Sequence, residues 1–211
     1  TIDWIRADAL LEKHALVVIS TGLHGIEGYA GSAVLGLFLE EFMTRLDPRH
    51  TGLLLVHGQN PWGMKNWQRN NPHNVDLNRN FIDGDFSELV SVNPDYAGLM
   101  RLLNPKLHLG DLTLEKARFI WRLAGAFFSV GVKRLREGAL MGEYSFPAGM
   151  YFGGQELQEE TRSLMALYRN TFPGYSDIIH IDLHTGYGPR DQMTVVSSPW
   201  EASSADEIAG K

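Results

Sequence analysis

Two short apolar runs separated by a helical pattern constrain the fold of this chain more than any other feature. Residues 15–20 and 53–57 are nearly continuous in apolar side chains, which predicts strands covered on both faces. Between them, residues 30–46 carry apolar side chains at helical spacing and stop before Asp47 and Pro48. Two strands joined through a helix of this length form a parallel crossover, so the sequence predicts an α/β sandwich.

The rest of the chain adds two predicted strands and a helical segment. Residues 178–183 and 193–197 repeat the short apolar pattern of the first two strands. Between the second and third main strands, at about residues 93–173, we predict three helices, at residues 95–103, 114–137 and 156–170. No linker or internal repeat divides the chain, so we expect residues 1–211 to form a single domain.

Two further stretches carry different expectations. Residues 119–132 are strongly apolar, but the stretch is too short to cross a bilayer and contains Arg122, so we predict a buried helix and no membrane partner. Residues 58–85 form a long loop rich in Asn, Gly and Pro. A loop of this length is more typical of a functional segment than of a simple connection.

The charge balance and the lack of cysteine narrow the possible partners. Nineteen basic residues against 25 acidic ones give a formal net charge of −6, and no basic run is present, so we expect no nucleic-acid partner. Without cysteine, any zinc ion must be held by histidine and carboxylate.

No secretory signal is visible, which makes the cytoplasm the expected location. The sequence starts at Thr1 without methionine and stops just after an apparent helix start, so we expect truncation at both ends.

Histidine and glutamate residues follow the predicted strands at positions that suit a metal ion. The sequence His24-Gly-Ile-Glu27 lies in a Gly-rich turn after the first strand, and His184 comes at the end of the third. In open α/β sheets, ligand sites form beyond the carboxyl ends of strands, where His57 is also expected. A His/Glu/His set leaves one position open on zinc, as catalytic zinc requires in order to activate a water molecule.

The third ligand has a rival on its own strand. His180 lies four residues before His184 on the same face of an ideal strand. We favour His184 because it adjoins Thr185 and Gly186, where the strand ends and can open to a cleft. Asp182 shares that face, and it is expected either to orient a ligand or to pair with a neighbouring arginine.

Several short motifs occur in an order that resembles a known enzyme family. They are HGIEGYAGSA (24–33), Asn-Pro-x-Gly (60–63), NVDLNRNF (74–81) and DLHTGYGP (182–189). Together they resemble the M14 family of zinc carboxypeptidases, especially its bacterial DUF2817 branch. The Asp-Leu-His-Thr sequence is also similar to the aspartoacylase and succinylglutamate desuccinylase branch. The resemblance spans residues 20–189 and implies a zinc carboxypeptidase-like α/β fold with a mixed, mainly parallel central sheet flanked by helices.

The resemblance also implies a ligand set for one Zn2+ ion per chain. It makes His24, Glu27 and His184 the metal ligands. Asp76 is then the carboxylate that accepts a hydrogen bond from His24 and fixes its tautomer, a partner that metal-bound imidazoles generally have. The alternative for Asp76 is a loop-capping role, which is common for aspartate.

Three residues of the long loop acquire substrate-facing roles through the same resemblance. Arg69 is implied to polarise the scissile carbonyl, and Asn78 and Arg79 are implied to bind a substrate carboxylate. Independently of the resemblance, a guanidinium group matches a carboxylate in a bidentate fashion better than lysine does. The alternative for both arginines is a surface salt bridge.

The resemblance implies a zinc-dependent hydrolase that cleaves an amide bond next to a free carboxylate, in a peptide or a small molecule. The alternatives are an N-acyl amino acid deacylase and a non-catalytic zinc or ligand-binding domain. The family's general base is a glutamate on a strand well beyond the third ligand. Only Glu201 and Glu207 remain in that direction, and neither follows a strand, so we assign no general base.

Overall fold

A computed structural model describes residues 1–104, 110–186 and 188–196 of the chain. Its strands are β1 (Asp3–Ala7), β2 (Ala15–Thr21), β3 (Thr51–His57) and β4 (Asp177–Leu183). Within the described residues they form one sheet in the order β1, β3, β2, β4. β2 pairs in parallel with β3 and β4, whereas β1 pairs antiparallel with β3. The predicted α/β class with a mixed, mainly parallel sheet is confirmed.

The helices of the described chain are α1 (Gly28–Leu37), α2 (Pro61–Asn66), α3 (Tyr96–Leu103), α4 (Leu112–Leu140) and α5 (Glu159–Thr171). The crossover helix predicted at residues 30–46 is confirmed, although α1 continues as a wider turn at Phe38–Phe42 and a tighter one at Met43–Arg45. The three helices predicted between residues 93 and 173 correspond to α3, α4 and α5. The second was predicted as one continuous helix, but Gly131 has non-helical φ and ψ angles of 78° and 165° and kinks α4.

Two elements were not predicted from the sequence. α2 lies inside the predicted loop, where the Asn60 side chain accepts a hydrogen bond from the backbone N–H of Gly63 and Pro61 takes the first helical position. Both features are common helix-start signals, and they were present in the sequence. β1 was missed because its sequence, DWIRA, has no apolar run and all five residues are exposed.

Helices pack on both faces of the sheet. Alternate residues of β2 and β3 point to opposite sides, as strand geometry requires. One face of the sheet packs against α5 and the segment after it, in a cluster of Leu16, Val18, Leu54, Val56, Leu164 and Tyr175. The other face packs against α1, in a cluster of Ile19, Leu35, Leu53 and Leu55. The parallel pairing places the carboxyl ends of β2, β3 and β4 along one edge of the sheet.

Two expectations about strands were wrong, although the strand predicted at residues 178–183 is present as β4. β4 was expected to be covered on both faces, but Ile178, Ile179 and Ile181 are exposed. The reason is that β4 is the outermost strand of the sheet in the described chain. An apolar run does not show whether a strand lies in the middle or at the side of a sheet. Residues 193–196 are irregular where a strand was predicted, and Ser197 lies outside the described residues.

The expectation of a buried helix at residues 119–132 was also wrong. In α4 the side chains of Trp121 and Phe128 are 79% and 84% exposed. α4 packs against α3, where Leu99 contacts Gly138, and this contact leaves the aromatic part of α4 uncovered by the described residues. Neither α4 nor another helix in the described ranges is apolar over a length sufficient to cross a membrane.

Candidate metal centre

The turn after β2 carries the first two candidate ligands. His24 precedes a tight helical turn at Gly25–Glu27, which leads directly into α1. The backbone N–H of Gly25 donates to the carbonyl oxygen of Arg69 at 3.3 Å. A side chain at Gly25 would collide with the backbone of Gly63, so only glycine fits this close approach. The turn is thereby fixed against α2 and the loop that follows it.

His24, Glu27 and His184 converge at the carboxyl ends of β2 and β4. We call these three candidate ligands the metal centre. One potential ligand atom from each lies within 4.8 Å of the other two. Oε2 of Glu27 is 3.2 Å from Nδ1 of His184, and the two imidazole centroids are 4.8 Å apart. Tetrahedral zinc with bonds of about 2.1 Å holds its ligand atoms about 3.4 Å apart, so this donor set fits a zinc ion.

Asp76 lies buried beside His24. Its Oδ1 is 3.4 Å from Nδ1 of His24 without hydrogen-bond geometry, and that nitrogen has no hydrogen-bond partner among the described residues. The same carboxylate accepts two hydrogen bonds from Arg69, at 3.2 and 3.0 Å, and one from the backbone N–H of Asn78. Asp76 therefore caps the turn Leu77–Arg79. It also lies next to the ring of His24, at the position expected for a carboxylate that orients this ring.

Asp182 holds the ring of His184 from the opposite side to Glu27. Nε2 of His184 is 2.6 Å from Oδ2 of Asp182, which leaves Nδ1 facing Glu27. The other oxygen of Asp182 accepts hydrogen bonds from Oγ of Ser20 at 2.6 Å and from Nε2 of Gln59 at 2.8 Å. Of the two roles considered for Asp182, the structure therefore gives it that of orienting His184.

The two histidines of the metal centre have opposite pKa shifts. Burial lowers the pKa of His24 to about 4, and the nearby carboxylate of Asp76 only partly opposes this effect. Hydrogen bonds to Asp182 and then to Glu27 raise the pKa of His184 to about 9 against the effect of burial. Burial also opposes ionisation of Glu27, but contacts with both histidines outweigh it and lower the pKa of this carboxyl. At neutral pH the metal-free centre thus holds a neutral His24, a carboxylate and an imidazolium.

A cleft of about 440 Å³ with a mixed polar and apolar wall adjoins the centre through Arg69. None of the three candidate ligands lines it, but Arg69 does, and Arg69 is the one charged residue among the described residues that form its wall. The guanidinium lies 5.0 Å from the ring centroid of Tyr151. The rest of the wall is mainly amide and apolar; it includes Asn70, Asn74 and Met150.

The remaining predicted substrate residues lie on the turn that Asp76 caps. The side chain of Asn78 is exposed. Arg79 donates to the carbonyl oxygen of Leu140, at the end of α4, at 2.8 Å and to that of Asn78 at 3.2 Å. Its Nε is shielded from solvent and has no partner among the described residues. Arg79 is therefore held against α4 in this structure, and its substrate role stays a prediction.

The rival histidines occupy other positions. Nε2 of His180 is 2.9 Å from Oγ of Ser20, and Nε2 of His57 is 2.6 Å from Oγ of Ser32 on α1. The hydrogen bonds from Ser20 and Gln59 to Asp182 were not predicted from the sequence. Ser20 lies on β2 just before the His24 turn and faces Asp182 through the strand register. The strand pairing that brings them together is not evident from either segment alone.

Comparison with known proteins identifies a family. Curated proteins gave no match, and solved structures gave none either. The family model described as a protein of unknown function, DUF2817, matches residues 1–209. Nearly the whole chain is covered by this match, which includes every residue of the metal centre. The chain therefore belongs to the DUF2817 family.

Proposed function

We propose that this protein is a zinc-dependent hydrolase, related to the M14 carboxypeptidases, that cleaves an amide bond adjacent to a free carboxylate. The observation that supports this most is the convergence of His24, Glu27 and His184 from two separate parts of the chain. Two histidines and one carboxylate are a common ligand set of catalytic zinc, which keeps a fourth position open.

The surroundings of the ligands favour a functional metal over a chance cluster. Each histidine has a carboxylate beside it, Asp76 for His24 and Asp182 for His184. Such outer carboxylates orient metal-bound imidazoles and raise their basicity. About 31% of the His184 side chain is exposed, so water and substrate can approach from that side. A bound zinc ion would supply Lewis-acid activation of water and of the scissile carbonyl.

The charge next to the centre favours an anionic substrate. Arg69 lies between the metal centre and the cleft, since its backbone binds the Gly25 turn and its side chain lines the cleft. Asp76 and Tyr151 hold the guanidinium in place on two sides. A cation fixed in this way stabilises negative charge that develops on a substrate oxygen, with little reorganisation during the reaction. The proposed roles of Asn78 and Arg79 extend the same preference for carboxylates.

A second candidate is a non-catalytic zinc or ligand-binding domain. One observation favours it: within the described residues, the carboxylates beside the centre already have charged partners, Arg69 for Asp76 and His184 for Asp182. Neither is therefore free to act as the general base. Glu201 and Glu207, the two acids considered from the sequence, lie outside the described residues.

Assays on zinc-loaded protein with two substrate panels test the proposal. We expect hydrolysis that stops when a chelator removes the metal and returns when zinc is added. Release of the terminal residue from peptides supports a carboxypeptidase, whereas release of the acyl group from N-acyl amino acids supports the deacylase. His24→Ala should abolish turnover. The matched control is His73→Ala, because His73 is exposed, belongs to neither candidate metal cluster and has its Nδ1 2.8 Å from Oε1 of Gln158. Stoichiometric zinc binding without turnover of either panel would instead support the binding domain.

A further inference from the structure

A second set of metal-ligating side chains lies at the opposite edge of the sheet. Glu12 and His14 precede β2, and His50 precedes β3, so all three lie at the amino ends of the parallel strands. One potential ligand atom from each lies within 4.8 Å of the others. We infer that these residues, the edge cluster, form a separate binding site for a borderline divalent cation such as Zn2+. Imidazole and carboxylate together suit such ions better than they suit Mg2+ or Ca2+.

The backbone holds the two histidines of the edge cluster together. The N–H groups of His14 and Ala15 both donate to the carbonyl oxygen of His50, each at 3.1 Å. The carbonyl oxygen of His14 accepts in turn from the N–H groups of Ser176 and Asp177, at 3.0 and 2.9 Å. The imidazole centroids lie 5.1 Å apart. A metal ion would therefore meet two ligands whose main chains are already in place, which reduces the ordering cost of binding.

The third ligand and the surrounding charges also suit a cation. Oε2 of Glu12 lies 3.2 Å from Nε2 of His14, on a side chain that is 78% exposed. The nearby cations are directed elsewhere, because Lys13 pairs with Asp8 at 3.4 Å and Arg49 pairs with Asp47 at 2.9 Å. Nδ1 of His50 is shielded from solvent and has no hydrogen-bond partner among the described residues, so no internal group competes for that nitrogen.

The edge cluster should bind more weakly than the metal centre. Its exposed ligands have water around them, whereas Asp76 and Asp182 stand behind the histidines of the metal centre. Loss of such outer partners typically weakens a metal site on the order of 10-fold to 100-fold. Calorimetric titration of the tag-free protein with Zn2+ should therefore show two classes of sites that differ by about this factor.

Variants separate the two sites. His14→Ala should remove the weak class and leave the tight class, whereas His24→Ala should do the reverse, so the edge cluster is tested independently of the proposed enzyme. His73→Ala is the matched control and should keep both classes. A second measurement needs no variant. Co2+ added to wild-type protein that holds one equivalent of Zn2+, in the tight site only, should broaden the NMR signals of the His14 and His50 rings before those of His73. A single class of sites in the wild type, or equal broadening of all three rings, would overturn the inference.

Discussion

The carboxyl ends and the amino ends of the parallel strands carry the same types of metal-ligating side chain in different surroundings. The metal centre and the edge cluster each offer two histidines and one glutamate within coordination reach. At the carboxyl edge the ligands are mostly shielded from solvent, and carboxylates lie beside both rings. At the amino edge Glu12 and His14 are exposed, and among the described residues no carboxylate other than Glu12 forms an ion pair with either ring. The residues next to the ligands, more than the ligands themselves, therefore distinguish the candidate catalytic centre from the surface site.

The largest expected effect concerns the ligands themselves. His24→Ala and His184→Ala should each lose stoichiometric tight zinc, because two remaining protein ligands hold zinc weakly. His14→Ala, which removes a histidine of the edge cluster, should keep the tight ion. Metal analysis after dialysis measures the difference. If either variant of the metal centre retains full occupancy, the ligand assignment is wrong.

The second effect is a dependence of zinc affinity on pH. Because the pKa of His184 is raised to about 9, its ring is protonated at neutral pH and must lose a proton to bind metal. Zinc affinity should therefore rise about tenfold for each pH unit up to about 9, with about one proton released per ion. Titrations in buffers of different ionisation enthalpy count this proton. A pH-independent affinity between pH 6 and 8 would contradict the assignment.

His184 and His24 should change the free energy of unfolding of the metal-free protein in opposite directions as the pH rises. His184 has a raised pKa in the folded state, so its contribution is present below pH 6.5 and is lost as the pH rises to about 9. His24 has a lowered pKa, so its contribution is present above pH 6.5 and is lost as the pH falls to about 4. NMR titration of the two rings measures both values. Two rings that titrate together near 6.5 would show that neither environment is as described.

The next prediction concerns the carboxylate of Asp182, which lies beside the ring of His184. Asp182→Asn keeps the shape of the side chain but removes the charge that orients His184, so zinc affinity should fall on the order of 10-fold to 100-fold. It should also bring the pKa of His184 down from about 9, because Asp182 is the main cause of that rise. Asp83→Asn, a change at a side chain that is 89% exposed and belongs to neither site, is the control. Equal zinc affinity in the two variants would mean that the surroundings do not separate the two sites.

The smallest expected effect concerns substrate recognition. Arg79→Ala should keep zinc and weaken the binding of carboxylate ligands by about tenfold, the size of a typical hydrogen bond to a charged group. Arg169→Ala, an exposed arginine that pairs with Asp83, is the control. Inhibition by a small dicarboxylate compares the variants. If Arg79→Ala binds the inhibitor as well as the control does, Arg79 serves only to hold the end of α4.

Much of this arrangement was predictable from sequence because it depends on local signals. The apolar runs of β2 and β3 and the helix between them gave the parallel crossover, and the crossover placed His24 at a strand end. The contacts of Asp182 with Ser20 and Gln59 depend on strand register and on a distant loop, so no local pattern reports them. Exposure of Trp121 on α4 was likewise missed, since an apolar pattern indicates a helix but not what covers it.

Anomalous diffraction at the zinc edge tests the metal centre most directly. Crystals of the protein loaded with one equivalent of zinc should give a strong peak about 2.0 to 2.2 Å from a ring nitrogen of His24, an oxygen of Glu27 and a ring nitrogen of His184. A weaker peak at Glu12, His14 and His50 should appear only at higher zinc concentration. A strong first peak at the edge cluster, with none between His24 and His184, would contradict the assignment of the metal centre.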